Sequence, residues 1–287
     1  MKYPRIEEHR GSYPTGWMCS ALAVSGRGFR AWRSRGESRR RQEDRRLLIN
    51  IRSSFEKSER TYGSPRILKD LRELGQRTSK TRIARIMQEN GIVAVQRRRF
   101  KITTQSGHDF PIHPNLLDRD FTVEEPNRVW LGDITYIRTE EGWLYLAALM
   151  DLCSRRIVGW NTADRIDRWL TLTALQQALR ERRPTAGLMH HSDQGGQYAA
   201  YEYQRCLENA QAISSMSRKG DCWDNAPIES FFSTLKRERV HRRRYWTRQD
   251  ATADLTDYID RFYNQTRRHS QLGDLSPTRF EVSRFHT

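Results

Sequence analysis

The sequence predicts an α/β protein in which a mixed five-stranded sheet flanked by helices follows a small, basic, all-α domain. In residues 128–287, runs rich in Val, Ile, Trp and Tyr alternate with helical periods, as in mixed α/β domains. The positive charge is uneven: residues 1–110 hold 26 Lys and Arg against 11 Asp and Glu, while the whole chain carries +16. The excess of cations therefore lies in the N-terminal part, where it favours binding to a polyanion.

The composition excludes several classes of protein. The 287 residues are enough for two or more domains with a sizeable core. The four cysteines are widely spaced and form no C-x-x-C pair, so we expect neither a cysteine zinc site nor a disulfide framework. No apolar run is long enough to span a membrane and no signal peptide is visible, so we expect a soluble, cytoplasmic protein. A well-solvated cationic surface is the plain alternative to polyanion binding.

Residues 43–100 contain three short helical periods, a pattern compatible with a helix-turn-helix DNA-binding domain. At the second period, Ser64 can act as the N-cap and Pro65 suits the first helical position, while Gly75 provides the stop. Ser79 can cap the third period. Small three-helix units also occur for other reasons, so the pattern alone leaves the function open.

Basic side chains around the third helix are the candidates for DNA contact, because most protein–DNA hydrogen bonds go to the phosphate backbone. A solvated charged face is the alternative. The candidates are Lys80, Arg82 and Arg85 on the predicted outer face, followed by Arg97, Arg98 and Arg99.

Two further segments complete the predicted domain organisation. Residues 1–42 form a basic segment with no clear period, and residues 101–127 form a proline-containing linker. Residues 128–287 form the second domain, with a C-terminal helix that begins at a capping-box pattern, Thr247 and Asp250. Its predicted order is strands at 128–138, 143–150 and 156–160, a helix at 167–182, a strand at 187–191, a helix at 199–209, a strand at 212–216, and a helix from 226.

Three carboxylates in this second domain need an explanation. Asp133 lies in the middle of a strand, where an unpaired charge costs several kcal/mol. Asp193 lies just beyond a strand end, beside a Gly-Gly turn, and Glu229 lies in the first turn of a helix. Each has an ordinary interpretation as an edge residue, a turn cap or a helix-dipole partner.

A shared site is the other interpretation. If the three carboxylates converge, they raise one another's pKa unless a divalent cation compensates them. Oxygen ligands without thiolates suit Mg²⁺ or Mn²⁺. Two such ions can activate a hydroxyl and stabilise the leaving oxygen of a phosphodiester. Spacing alone leaves both interpretations open.

Five stretches of the chain resemble the OrfB catalytic frame of the insertion-sequence-three family of bacterial transposases, within the retroviral-integrase-like DDE superfamily. Asp193 and Glu229 are separated by 35 residues, which is similar to the spacing of this superfamily, and Lys236 follows as its pattern has it. The stretches are TYGSPRI (61–67), VWLGDITYIRTEEGWLYLAALMDLCSRRIVGW (129–160), HSDQGGQY (191–198), SMSRKGDCWDNAPIESFFSTLK (215–236) and YNQTRRHSQLGDLSP (263–277).

The resemblance implies an RNase H-like fold with Asp133, Asp193 and Glu229 as catalytic, metal-binding residues. It implies two Mg²⁺ or Mn²⁺ ions, cleavage of one strand at the transposon end, and attack of the exposed 3′-OH on another phosphodiester. Lys236 is then expected to contact DNA near the scissile phosphate, with a surface salt bridge as the alternative.

The resemblance also implies partners. These are double-stranded DNA at terminal inverted repeats and at the target, a homo-oligomer on DNA, and an OrfA partner or frameshift fusion, in the bacterial cytoplasm at the nucleoid. Arg267 and Arg268 are candidates for gripping backbone phosphate, and Tyr198 and Trp223 for stacking on bases or packing in the core. A non-catalytic DNA-binding regulator and an RNase H-like nuclease are the alternative functions.

Overall fold

A computed structural model describes residues 2–95, 112–218 and 222–285. Its first part is a group of three short helices in residues 2–34, where the sequence showed no clear period. The group is held by a cluster of Ile6, Cys19 and Phe29, too few apolar residues to produce a readable pattern. Its helices are α1 (Lys2–Glu8), α2 (Thr15–Ala21) and α3 (Gly26–Ser34).

Three more helices form the predicted helix-turn-helix-like unit, named the helical unit below: α4 (Arg39–Lys57), α5 (Ser64–Glu73) and α6 (Lys80–Glu89). The α6 cap is confirmed, because the Ser79 hydroxyl accepts the Arg82 backbone N–H at 3.2 Å. The predicted Ser64 cap is wrong: Gly63 takes the cap position and no side chain caps α5. The predicted domain start at residue 43 falls inside α4. The core of this unit is Leu47, Ile51, Phe55, Tyr62, Ile67, Leu68, Leu71, Ile83, Ile86 and Met87.

The second part contains a mixed five-stranded sheet, and the predicted RNase H-like fold class is confirmed. The strand order is β3-β2-β1-β4-β5, with the first three strands antiparallel and β4 and β5 running parallel to β1. Every predicted strand is present within a few residues. The strands are β1 (Val129–Thr139), β2 (Gly142–Asp151), β3 (Ile157–Ala163), β4 (Met189–Ser192) and β5 (Ile213–Met216).

Helices cover both faces of the sheet because β1 sends alternate side chains to opposite sides. Trp130 packs into the cluster beneath α7 (Arg168–Arg182) and α9 (Tyr201–Asn209), next to the short α8 (Gly196–Ala199). Leu131 packs into the opposite cluster, beneath α10 and α11. Those two helices span Ala226–Glu238 and Arg248–Thr256.

The C-terminal region differs from the prediction. The Thr247–Asp250 capping box is confirmed, but α11 continues as a π-helix over Asp257–Tyr263. A further helix, α12 (Pro277–Phe285), was not predicted and packs back on the domain through the buried Glu281. No helix within the described residues is long and apolar enough to cross a membrane.

Gly159 fixes how closely α7 can approach the sheet. A Cβ at this position of β3 would collide with the backbone carbonyl oxygen of Ala174 and would lie 2.8 Å from the Cβ of Ala178. Both atoms belong to α7, so the helix would have to move away.

We expect Gly159→Ala to lower the free energy of unfolding by about 1–3 kcal/mol, the usual cost of overpacking a core. Urea denaturation would measure it. Gly16→Ala is the matched control, since nothing lies within 4 Å of its added Cβ. Equal stabilities of the two variants would show that α7 is not held at this distance.

Candidate active site

Two of the three predicted carboxylates lie side by side at one edge of the sheet. In the parallel pair β1–β4, Gly132 is the register partner of Ser192, and each is followed directly by an aspartate, Asp133 and Asp193. Both aspartates are half-buried. The carboxyl ends of neighbouring parallel strands are where sites in α/β folds form.

Each aspartate accepts a hydrogen bond from a nearby backbone N–H. One Asp133 oxygen accepts the N–H of Ile134 at 2.7 Å, and one Asp193 oxygen accepts the N–H of Gly195 at 2.9 Å. The second bond holds the Gly-Gly turn closed over Asp193. These bonds fix the orientation of both carboxylates at the edge of the sheet.

Glu229 comes to the same region because α10 begins there. The Asn225 side chain, immediately before the helix, donates to the carbonyl oxygen of Gly132 at 3.0 Å and is buried. This bond joins the start of α10 to the residue before Asp133. Glu229 follows in the first turn of the helix, half-buried, where the helix dipole favours an anion.

The pKa values show that the carboxylates share one electrostatic environment. Burial raises the pKa of Asp133 well above its ordinary range, and the negative charge of Asp193 raises it further, with a smaller contribution from Glu229. The N–H of Ile134 and the charge of Lys236 act in the opposite direction. Burial also raises the pKa of Glu229. Such a site favours a proton or a cation.

Lys236 lies beside the carboxylates, two turns along α10 from Glu229. Burial lowers the pKa of its ammonium group, and the charge of Asp133 counteracts part of that effect. Its Nζ lies 4.5 Å from the centre of the Tyr136 ring, a cation–π distance. Tyr136 and Trp143 are exposed and meet edge to face at 5.1 Å. Neither aromatic residue was predicted to belong to the site; the available signal was an aromatic residue in each of two neighbouring predicted strands.

The floor beneath the aspartates is closely packed. A Cβ at Gly132 would lie 2.9 Å from Nε2 of His190, so the imidazole fills the space of the missing side chain. His190 is buried against the hydroxyl of Tyr203 at 2.9 Å, and burial, with the adjacent His191, lowers its pKa to about 3. Tyr198 belongs to the same buried cluster, so the core interpretation of Tyr198 holds.

Asp224 anchors the loop that leads into α10. It is fully buried, and its carboxylate accepts hydrogen bonds from Asn115 at 2.9 Å and Arg119 at 2.7 Å. The backbone N–H of Arg218 donates to it at 3.0 Å. Trp223, the preceding residue, lies close to the start of α10. It is 67% exposed, so it does not pack in the core.

The donor set suits a hard divalent cation, because it offers carboxylate oxygens and no thiolate. Within the described residues, no three His, Cys, Asp or Glu side chains are already gathered closely enough to hold a metal ion. The charge of Asp193 raises the pKa of Asp133 more than the charge of Glu229 does. A shared ion would therefore need the three carboxylates to come closer together than they are here.

The cationic side chains of the helical unit that were predicted to contact DNA differ in their exposure and in their ion pairs. Lys80 is exposed. Arg82 and Arg85 both bind Asp44, at 2.6 and 2.5 Å, and Arg85 also pairs with Glu89. These arginines hold α6 against α4 and present only part of their charge outward. The predicted contacts at Arg97, Arg98 and Arg99 lie outside the described residues.

The prediction that Arg267 and Arg268 grip DNA is wrong for the described structure. Both side chains are buried, with exposures of 5% and 7%. Arg267 forms a two-pronged ion pair with Glu238, and Arg268 pairs with Asp70. A guanidinium group buried in this way is not accessible to a phosphate.

Comparison with known families identifies three matching segments. Residues 42–100 match a family described as HTH-like domain. Residues 123–222 and 211–277 match two families that are both described as integrase core domain. The second and third segments together contain Asp133, Asp193 and Glu229.

Among solved structures, the chain is similar to a simian T-cell lymphotropic virus intasome (16% identity, TM-score 0.46, covering 76% of this chain and 70% of that one). It is also similar to the HTLV-2 integrase catalytic core domain in complex with magnesium (16% identity, TM-score 0.42, 54% and 96% coverage).

Two curated relatives align along nearly the whole chain. The insertion element IS600 uncharacterized 31 kDa protein of Shigella sonnei is 43% identical over 263 residues, covering 92% of this chain and 97% of the relative. Transposase InsF for insertion sequence IS3A of Escherichia coli (strain K12) is 39% identical over 283 residues, 98% of each chain. The chain therefore belongs to the family of insertion-sequence transposases that includes InsF of IS3.

Proposed function

We propose that this chain is a DDE transposase that cuts one DNA strand at an insertion-sequence end and joins the exposed 3′-OH to another phosphodiester. Asp133, Asp193 and Glu229 are its catalytic carboxylates and hold two Mg²⁺ or Mn²⁺ ions. The same reaction integrates the element into target DNA.

The observation that carries this proposal is the register of β1 and β4. The pairing of Gly132 with Ser192 puts two aspartates next to each other, and the negative charge of Asp193 raises the pKa of Asp133. A protein that only bound DNA would gain nothing from paired, half-buried anions facing a polyanion. A catalytic site for a phosphodiester gains two cation ligands.

Each side chain has a distinct role in the proposed reaction. Divalent ions, when bound, would polarise the phosphodiester and make a hydroxyl a better nucleophile. Backbone N–H groups orient Asp133 and Asp193, and Glu229 completes the proposed ligand set from the first turn of α10. The Lys236 ammonium group would contact the phosphate backbone beside the cut.

The proposed partner of the helical unit is double-stranded DNA, first the terminal inverted repeats and then the target. The basic N-terminal region would supply most of the sequence-independent affinity, and this affinity should fall steeply with salt. A homo-oligomer on DNA and an OrfA partner or fusion complete the proposed assembly.

A strand-cleavage and joining assay on end-labelled element DNA tests the function. Purified full-length chain is incubated with Mg²⁺, with Mn²⁺ and with a chelator, and the products are separated on denaturing gels. We expect nicked and joined products with either metal and none with the chelator. DNA binding without cutting would support the regulator instead, and preferential cutting of an RNA–DNA hybrid would support an RNase H-like nuclease.

Lys236 allows a second test of the proposed DNA path. Lys236→Met keeps the length of the side chain but removes its charge, so we expect weaker DNA binding and a slope of log affinity against log salt reduced by about 1. Lys236→Arg should retain the slope. Fluorescence anisotropy over a salt series measures both, and an unchanged slope in Lys236→Met would place this ammonium group away from DNA.

A further inference from the structure

The end of α10 that lies away from the active site is buried against the helical unit. Glu238 closes this helix and is 3% exposed. A buried anion at a helix C-terminus is unfavourable both for desolvation and for the helix dipole. It must therefore be matched by cations from surrounding elements.

Those cations come from both halves of the protein. Arg267 donates to the two Glu238 oxygens at 2.7 and 2.8 Å, and the Tyr258 hydroxyl donates to one of them at 2.9 Å. From α5 in the helical unit, a guanidinium nitrogen of Arg66 lies 3.9 Å from the same carboxylate. One carboxylate thus joins the helix that carries Glu229 to a helix of the other unit.

The neighbouring arginine continues the connection into the helical unit. The backbone N–H of Arg268 donates to the hydroxyl of Tyr62 at 2.7 Å. Its guanidinium group contacts Asp70 at 2.6 Å and Glu73 at 2.5 Å, both on α5, and also donates to the carbonyl oxygen of Asp274 at 2.9 Å. Arg267 and Arg268 are adjacent in the chain, but Arg267 binds α10 and Arg268 binds α5 of the helical unit.

A second link lies one residue beyond Glu238. Arg239 is 4% exposed and contacts Glu59 of the helical unit together with Asp254 and Asp257 of the sheet domain. Arg242 donates to the carbonyl oxygen of Glu59 at 2.8 Å. The last turn of α10 and the residues after it are thus bound to the helical unit at two separate places.

Networks of this kind contribute more to geometry than to stability. The desolvation cost of buried ion pairs cancels much of their attraction, whereas the fork of an arginine tolerates few orientations. The described contacts therefore hold the helical unit at one position relative to α10, and so relative to Glu229 and Lys236.

We propose that Glu238, Arg267 and Arg268 are positioning residues that set where DNA is cut, by fixing the helical unit relative to the active-site helix. The inference rests on the proposed function, in which the helical unit holds DNA. Successive nucleotides along a strand are about 3.4 Å apart, so a displacement of the helical unit by that distance would move the cut by one nucleotide.

Mapping of cut positions tests this proposal. Full-length wild type, Arg268→Gln and the control Arg165→Gln, which changes a 78% exposed arginine in the loop after β3, act on the same labelled element end. We expect one dominant cut for wild type and control. For Arg268→Gln we expect a several-fold loss in the share of cuts at that position, with new cuts at adjacent nucleotides. A slower reaction with an unchanged position would overturn the proposal.

A milder variant and a DNA-free measurement cover the other outcomes. Tyr62→Phe removes one hydroxyl and should give a smaller spread of cuts if Arg268→Gln does not fold. Amide hydrogen exchange tests the connection itself: in either variant, exchange should rise in Ala226–Glu238 as well as in Ser64–Glu73. A rise confined to Ser64–Glu73 contradicts the connection even if the wild type cuts no DNA, an outcome that would reject the proposed function separately.

Discussion

Asp193→Asn and Glu229→Gln are each expected to abolish strand cleavage and joining while DNA binding is retained. The asparagine and glutamine side chains keep the size of the originals but lose the negative charge that would hold a divalent cation. Removing one electrostatic contributor from an active site costs on the order of 10²–10³ in rate, and loss of a metal ligand should reach at least the upper part of that range. Single-turnover cleavage of labelled element ends measures the rate.

The design of this experiment separates chemistry from folding and binding. Asp164→Asn, an exposed aspartate in the loop after β3, is the charge-matched control and should cut at the wild-type rate. Anisotropy with the same DNA should give similar affinities for all variants, because the altered carboxylates repel rather than attract phosphate. Wild-type joining by either active-site variant would reject the assigned site.

Glu281→Gln is expected to lower the free energy of unfolding by about 3 kcal/mol, as when one partner of a buried ion pair is removed. Glu281 on α12 binds Arg182 of α7 through two hydrogen bonds, at 2.8 and 2.9 Å, and binds Arg156 at 2.8 Å. Without the carboxylate charge, the largely enclosed guanidinium group of Arg182 loses its ion pair and keeps its hydrogen bond to Asn127. The figure lies at the low end of the usual range because the Arg156 side chain is 34% exposed.

The loss of stability caused by Glu281→Gln should become smaller as the pH falls. Burial tends to raise the pKa of Glu281, but the hydrogen bonds and charge of Arg182 outweigh it and the pKa is lowered. A lowered pKa gives stability that is fully present above the unfolded value of about 4.3 and is lost as pH falls through the folded value. Wild type and Glu281→Gln should therefore differ fully at pH 7 and converge in acid.

Urea denaturation at several pH values measures this difference. Val282→Ala is the control on the same helix, since Val282 is 53% exposed and its truncation should change stability by less than about 0.5 kcal/mol. A constant difference between wild type and Glu281→Gln from pH 7 down to pH 3 would contradict the role of the carboxylate charge.

The sheet could be predicted because strand periodicity is a local property. The runs of apolar and aromatic residues in β1 and β2 are visible within each strand, and the capping box at Thr247 depends on four consecutive residues. The mid-strand position of Asp133 also announced an unusual site, since its cost is local too. Asp133 lies next to Asp193 because of the register of β1 against β4, which is a contact between distant segments. Periodicity does not predict this contact; the resemblance to the family did.

The wrong predictions concern side chains whose partners lie far away in the chain. Arg267 and Arg268 have the composition of a phosphate-binding motif, but their burial depends on Glu238 and Asp70, which lie far away in the chain. The helix α12 was missed because its inner face is closed by a carboxylate, Glu281, instead of an apolar residue. Charge read from a sequence therefore identifies a cation, while its partner is decided by the tertiary structure.

The position of α10 has a consequence for synthesis of the protein on the ribosome. β1, β4 and α10 leave the ribosome in that order, and Asn225 ties the last of them to Gly132 only after all three have emerged. In the proposed enzyme, an incomplete translation product that stops short of Glu229 would possess both aspartates yet remain harmless to the host chromosome.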